Sequence, residues 1–239
     1  MPIDCDAIVV SDLHLGRRGK ARPKAVRRFF EDIAQGTLLW RPKQVVLAGD
    51  VFQDLDFRKW PRSHWAALDA IRALEAVLPV VWVRGNHDGP FEAVRFLCGQ
   101  YGRAEPVGHA VTSAGKRYMV THGDAWSSYA GASALSYRDA VARLRDDWPH
   151  YDRTGLREAV AVARGAVAYA RTAGFHGVVC GHTHGPFCGY FGGTRPADGG
   201  GTKTQYANCG SWTKGNPPTF VTLRDGYATL HRYDHKDAR

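Results

Sequence analysis

The sequence predicts an α/β fold, and three observations predict it. Short β-branched runs alternate with stretches of helical periodicity through the first half, the order that sets strands side by side with helices on the sheet faces. A polar cluster rich in Asp, His and Gly follows each of these runs. The chain of 239 residues is 44% hydrophobic, and its 27 Gly and 12 Pro are spread over many short loops. That length is ample for one sizeable core and suits a single domain, 1–239, carrying an insertion.

Taken in order, the run 7–10 is a strand that ends at Asp12-Leu13-His14. Residues 23–35 place Val26, Phe29, Phe30 and Ile33 at helical spacing. The run 45–48 leads into Gly49-Asp50, and Ser63 is placed to cap a helix that buries Trp65, Leu68, Ile71 and Leu74. The run 80–83 ends at Gly85-Asn86-His87-Asp88, with a short helix expected over 91–100. Residues 117–121 form a weaker strand before His122-Gly123-Asp124, because Tyr118, Val120 and Thr121 favour a pleated surface.

The pattern then changes. Residues 128–147 and 155–173 read as helices rich in Ala and Arg, so 125–172 is an inserted helical hairpin. Its stripe of Tyr137, Val141, Leu144 and Trp148 fits core packing, the usual meaning of such a face, or a lid over a site. Arg138, Arg143, Arg145 and Arg164 stand beside Tyr137, Leu144, Trp148 and Val167, a mixture suited to phosphate oxygens next to an apolar group. The run 177–180 leads into Gly181-His182-Thr183-His184. Pro186, Gly189, Gly192, Gly193, Pro196 and Gly199 to Gly201 make a turn-rich loop, and 205–208, 219–223 and 227–233 read as closing strands.

Composition narrows the surroundings. Cys5, Cys98, Cys180, Cys188 and Cys209 are odd in number and lack CxxC spacing, so reduced, mostly buried thiols are expected. No basic-then-apolar leader opens the chain and no apolar run reaches membrane-spanning length, which gives a cytoplasmic expectation. A net charge of +9 and a pI near 9.5 favour phosphates, nucleic acid or anionic lipid surfaces as partners. The densest basic run, Arg17, Arg18, Lys20, Arg22, Lys24, Arg27 and Arg28, is either a solvated face or a patch for such an anion.

The clusters carry the chemistry. Loops at the carboxyl ends of strands line the ligand crevice of open α/β sheets, so donors distant in sequence converge there. Asp12 and His14, two apart in an extended segment, leave the backbone on one side and can bind one ion together. Asp50 offers a carboxylate able to bridge two ions, Asn86 an amide oxygen, and His122, His182 and His184 imidazoles. This set without thiolate suits Mn, Fe or Zn. Two such ions about 3.5 to 4 Å apart make a hydroxide available at neutral pH and clamp phosphoryl oxygens. His87 adjoins a ligand without being needed as one, and is placed to protonate a leaving oxygen, with Asp88 orienting and charging its imidazole. His64, His109, His150, His176, His231 and His235 lack such context. No GxSxG elbow occurs, and Ser211 has no evident base, which argues against serine hydrolysis.

In this order the blocks D-x-H, GD, GNHD, H and GH-x-H resemble the calcineurin-like metallophosphoesterase superfamily. The resemblance implies a four-layer sandwich of two mixed β-sheets flanked by helices. It also implies two divalent ions, manganese first among the candidates with iron or zinc open. Asp12, His14, Asp50 and His184 would hold one ion, and Asp50, Asn86, His122 and His182 the other. Ser11 to Gly16, His122-Gly123-Asp124, Cys180 to His184 and Tyr206 to Trp212 look like the UDP-2,3-diacylglucosamine diphosphatase-related branch. That branch implies hydrolysis of a phosphodiester or pyrophosphate bond in a phosphorylated or lipid-nucleotide substrate, a helical segment covering acyl chains, and peripheral contact with an anionic membrane. Two positions depart from its pattern: His87 stands where Arg is usual, and Gln53 where an acid often follows the GD aspartate. The protein serine/threonine phosphatase pattern is set aside because the GD block continues Val51-Phe52-Gln53-Asp54. A broad phosphodiesterase, phosphomonoesterase or nuclease stays open, although no aromatic-interleaved basic groove for nucleic acid is readable. A catalytically silent metal-binding scaffold would lack a ligand or His87, and neither is missing.

Overall fold

A computed structural model describes residues 2–16, 19–98, 102–133, 135–147, 153–191 and 203–234, without the side chains of 146, 147 and 153. Arg17, Arg18, Gln100, Trp148, His150, Gly192, Gly193, Pro196, Gly199 to Gly201 and His235 lie outside the described residues. The strands are β1 (Ile3–Cys5), β2 (Ala7–Val10), β3 (Trp40–Pro42), β4 (Val45–Ala48), β5 (Val80–Val83), β6 (Arg103–Glu105) and β7 (Gly108–Ser113). They continue as β8 (Lys116–Thr121), β9 (Gly177–Cys180), β10 (Phe187–Phe191), β11 (Thr204–Asn208), β12 (Thr219–Arg224) and β13 (Tyr227–Arg232). The helices are α1 (Pro23–Ala34), α2 (Arg62–Glu75), α3 (Phe91–Leu97), α4 (Tyr137–Asp147) and α5 (Arg153–Thr172).

Two mixed sheets face each other. One runs β13-β12-β2-β4-β5-β6 and the other β10-β11-β9-β8-β7, with β1 and β3 paired separately. In the first sheet β2, β4, β5 and β6 are parallel, while in the second β8, β9 and β11 are. Between the sheets Val9, Val46 and Val83 meet Val120, Val179 and Ala207. The outer face of the first sheet packs Ile8, Leu47 and Trp82 against Phe29, Phe30, Leu68 and Ile71 from α1 and α2. The outer face of the second packs Val178, Phe187 and Tyr206 against Leu144, Ala163 and Val167 from α4 and α5. Four layers result, as expected, and they explain why β2, β4, β5 and β9 are apolar at every position: each strand is buried on both faces. Each large apolar side chain so enclosed contributes about 1.5 to 3 kcal/mol.

Several expectations need correction. Pro61, in extended conformation, sits at the N-cap of α2, so Ser63 falls inside the first turn and does not cap. Trp65 is 36% exposed, and His64 is buried in its stead, accepting the Gly16 backbone N–H at Nδ1 (2.8 Å). Helix α3 ends at Leu97. The described residues among 128–136 are not helical: α4 starts at Tyr137, where Ser136 Oγ accepts the Asp139 N–H and donates to the Asp139 carboxylate. That reciprocal cap is written in the sequence as Ser-x-x-Asp and marks the helix start. The turn-rich stretch contains a strand, β10, which pairs antiparallel with β11. The strand expected over 117–121 is β8, and it has an unexpected antiparallel partner, β7, joined to it through Ala114 and Gly115, which both take the positive φ of a tight primed turn. In the basic run, Arg27 and Arg28 pair along α1 with Glu31 and Asp32, as a helix face does. No disulfide joins the described cysteines, and Cys5, Cys98, Cys180 and Cys209 are buried. Among the described residues no helix is long and apolar enough to cross a membrane.

Candidate metal centre

The polar clusters meet where the strands of both sheets end. Backbone hydrogen bonds tie the loop after β2 to the loop after β4, from Asp12 N–H to Gly49 O and from His14 N–H to Asp50 O. Asp12, His14, Asp50, His182 and His184 all adopt left-handed backbone, with φ between 47 and 69°. Such a conformation costs a non-glycine residue on the order of 1 to 3 kcal/mol and persists only where the surroundings impose it. Asp12 and His14 therefore converge because two left-handed residues turn their side chains inward, and not through the alternation of an extended segment. Gly181 is required by contact: a Cβ there would fall on Ser11 Oγ and Asp12 Oδ2.

Two groups of donor atoms emerge, each within 4.8 Å: Asp12, His14 and His184, and Asp12, Asp50 and His122. His14 Nε2 lies 3.0 Å from His184 Nε2, 3.7 Å from Asp12 Oδ1 and 3.9 Å from Asp50 Oδ2. Asp50 Oδ1 lies 3.3 Å from His122 Nε2, so its two oxygens face the two groups. Asn86 Oδ1 stands 3.0 Å from His122 Nε2 and 3.1 Å from His182 Nδ1. The structure thus brings together all the donors named from sequence.

The donor set fits cations. His122 directs Nδ1 at the Ala48 carbonyl (3.0 Å), a contact that needs a proton on Nδ1 and leaves the Nε2 lone pair facing the oxygens of Asn86 and Asp50. Asp12 Oδ1 is buried without a hydrogen bond, although His184 Nε2 is 3.1 Å away. Atoms that share a centre without protons between them are arranged as ligands are. The electrostatics agree. With no cation on Nε2 the same oxygens draw a proton there instead: burial opposes a charged imidazole, yet the Asp50 hydrogen bond and the Asp12 and Asp50 charges hold the His122 pKa up to about 10. Burial likewise opposes a charged Asp12, yet the charges of the adjacent His184 and His122 imidazoles hold its carboxyl well below the usual carboxylate range. The pocket draws positive charge to itself.

Of the residues expected to move protons, His87 is exposed at the rim, its ring 5.4 Å from that of His14. Asp88 does not orient it. The Asp88 carboxylate is buried and accepts the backbone N–H groups of Asp50, Phe52 and Gly85, each at 2.8 Å, so it clasps two ligand loops together. Burial pushes its pKa up to about 6. The His87 imidazole is met by Gln53, whose Nε2 is 2.9 Å from Nδ1. Sequence reading also missed Ser11, which hydrogen-bonds Asp12 Oδ2, and Asn208, whose Nδ2 donates to the Gly181 carbonyl (2.6 Å) and Thr183 Oγ1 (3.1 Å). The Tyr206 to Trp212 block was the available signal for Asn208.

Beside the centre lies a cavity of about 680 Å³ between the segment 127–130 and α5, lined by Tyr129, Tyr137, Arg157 and Glu158 among others. Of the insertion's described apolar stripe, Tyr137 lines it and Leu144 does not. Leu144 and Val167 are packed against the second sheet, and Arg164 is engaged by the carbonyls of Leu135 and Gly131. Arg143 donates to the Tyr190 carbonyl and stacks on Phe191.

The sequence profile of the calcineurin-like phosphoesterase family matches residues 7–186. Over 86 residues the chain is 38% identical to the DNA double-strand break repair protein Mre11 of Aeropyrum pernix, a match covering 34% of this chain and 20% of that protein. The chain thus spans about a fifth of the length of that curated relative. Among solved structures, a dimetal phosphatase from Danio rerio aligns over 98% of this chain and 97% of its own, with TM-score 0.51 and 11% identity. A conserved protein from Streptococcus pneumoniae, described as a predicted phosphoesterase, aligns over 97% and 90% with TM-score 0.46 and 14% identity.

Proposed function

The chain belongs to the calcineurin-like phosphoesterase family, and from that premise we propose that it hydrolyses a phosphodiester or pyrophosphate bond in a UDP-2,3-diacylglucosamine-like substrate. The observation that carries the chemistry is the convergence of Asp12, His14, Asp50, Asn86, His122, His182 and His184 at one rim, with Asp12, His14, Asp50 and His122 buried and Asn86 open to solvent. In this reading Asp12, His14, Asp50 and His184 hold one ion, and Asp50, Asn86, His122 and His182 the other, manganese being the first metal to supply. Bound there, the ions supply Lewis acidity toward the phosphoryl group and an activated water.

The chain's own residues do the rest. His87, adjacent to the ligand Asn86, donates a proton to the leaving oxygen, and Gln53 holds its ring. Asp88 keeps the Asp50 and Gly85 loops in register. The insertion 125–172 selects the substrate within the single domain: its cavity offers Arg157 and two tyrosines to a phosphate-bearing, partly apolar group. The +9 charge suits such a substrate presented at an anionic surface. A second reading, a broad phosphodiesterase or nuclease, is favoured by the Mre11 similarity and the same charge.

A panel supplied with Mn²⁺ separates the two: UDP-2,3-diacylglucosamine, a bis-aryl phosphodiester, an aryl phosphomonoester and single-stranded DNA. Metal-dependent turnover with the highest kcat/KM on the lipid nucleotide supports the first reading, and preference for DNA or for the aryl diester replaces it with the second. His87→Ala should keep its metal content yet slow poor leaving groups on the order of 10²- to 10⁴-fold, sparing activated aryl esters. An equal loss on both would assign His87 to positioning.

A further inference from the structure

The inserted helix α5 reaches the metal centre through the side chain of Glu158. Glu158 Oε1 lies 3.1 Å from His182 Nε2, and Ser127 Oγ lies 2.7 Å from the same nitrogen. The Ser127 hydroxyl donates its own proton to the Asp124 carbonyl at 2.8 Å, so toward His182 it presents lone pairs. A carboxylate is an acceptor only, and a neutral imidazole carries one proton. Two acceptors at Nε2 therefore fix the proton there, and Nδ1, 3.1 Å from Asn86 Oδ1, is left bare toward the centre.

We infer that Glu158 is a positioning residue for His182, setting the tautomer and ring orientation with which this histidine meets its ion, and so coupling the helical insertion to the metal centre. The inference rests on the reading of His182 as a ligand. Carboxylates that accept the far N–H of a ligating imidazole raise its basicity, and their loss typically costs ten- to a hundredfold in metal affinity. Nothing in the local sequence announces this role, because Glu158 is 24 positions from His182 and stands in an Ala-rich amphipathic helix.

The test is a Mn²⁺ titration of the metal-free full chain, wild type, Glu158→Ala, Glu158→Gln and His182→Ala, the last marking which ion His182 holds. Glu158→Ala should weaken that ion ten- to a hundredfold and leave the other unchanged. Glu158→Gln, which can still accept the Nε2 proton through its amide oxygen, should retain most of the affinity, a rescue that a purely steric role would not single out. Imidazole ¹⁵N shifts of metal-free protein should show His182 as the Nε2–H tautomer in wild type and a mixture in Glu158→Ala. Unchanged affinity in Glu158→Ala, in a wild type that binds two ions, overturns the inference. A wild type that binds fewer ions overturns the two-ion reading instead. The tautomer then decides for Glu158: the Nε2–H form lost in Glu158→Ala upholds its role, and any other form in wild type overturns it.

Discussion

At the sheet rim, Asp12, His14, Asp50, His182 and His184 sit in left-handed backbone, whereas the inserted helices α4 and α5 bury Leu144, Ala163 and Val167 from regular helix. The rim stores conformational cost, and its polar atoms face one another across loops from both sheets. The insertion is held by ordinary apolar burial and touches the rim through Ser127 and Glu158. Chemistry is thus carried by the part of the molecule the fold over-determines, and the neighbouring cavity by a packed insertion that meets that part at Ser127 and Glu158. This separation can be broken or sharpened by experiment.

The largest effect is expected at the rim. Asp50→Asn keeps the side-chain volume and removes the charge that faces both donor groups, so kcat/KM should fall on the order of 10³-fold or more, with one ion lost on elemental analysis. A loss under tenfold with two ions retained would show that Asp50 does not link the groups. A smaller effect is expected from Gly165→Ala in α5, where the new Cβ would stand 2.6 Å from Trp126 Cγ. Overpacking there should cost about 1 to 3 kcal/mol in denaturant unfolding. It should alter preference among large substrates while hydrolysis of a small aryl phosphodiester stays within about threefold, because the nearest atoms to the new Cβ belong to Trp126 and not to Ser127 or Glu158, which bond His182. A parallel loss on both would show the two regions to be one unit.

The smallest effect lies behind the rim, in the frame itself. Glu75 is buried and accepts the Trp82 Nε1–H at 2.7 Å, and burial pushes its pKa from 4.5 to about 7. The folded chain then holds a proton that the unfolded chain releases, so stability is highest below about pH 4.5 from this group and falls as pH rises toward 7. The slope is at most about 1.4 kcal/mol per pH unit. Glu75→Gln should flatten that portion of the stability curve while leaving kcat/KM unchanged. A wild-type curve already flat between pH 4.5 and 7 would contradict the assignment.

Much of this was legible beforehand. The runs of β2, β4, β5 and β9 declare themselves because strands buried on both faces are apolar throughout, and the polar residues that follow them mark the strand ends. What was misread had a competing local explanation. Ser63 looked like a cap because nothing local says that Pro61 already occupies that position. Asp88 looked like a partner of His87 because it is adjacent, yet three backbone N–H groups from two loops outbid the neighbouring imidazole for its oxygens.

The sequence by itself determined the inventory: which residues offer oxygen or imidazole nitrogen, and that they stand where strands end, since both follow from residue type and short-range periodicity. Only the tertiary structure decided which atom of each residue faces the centre. His122 is committed to Nε2 by the Ala48 carbonyl, 74 positions away, and His182 is met at Nδ1 by Asn86, 96 positions away. The physical reason is that a ring nitrogen's protonation is set by its hydrogen-bond partner. Those partners are neighbours only after two sheets and an inserted helix have closed around the same point.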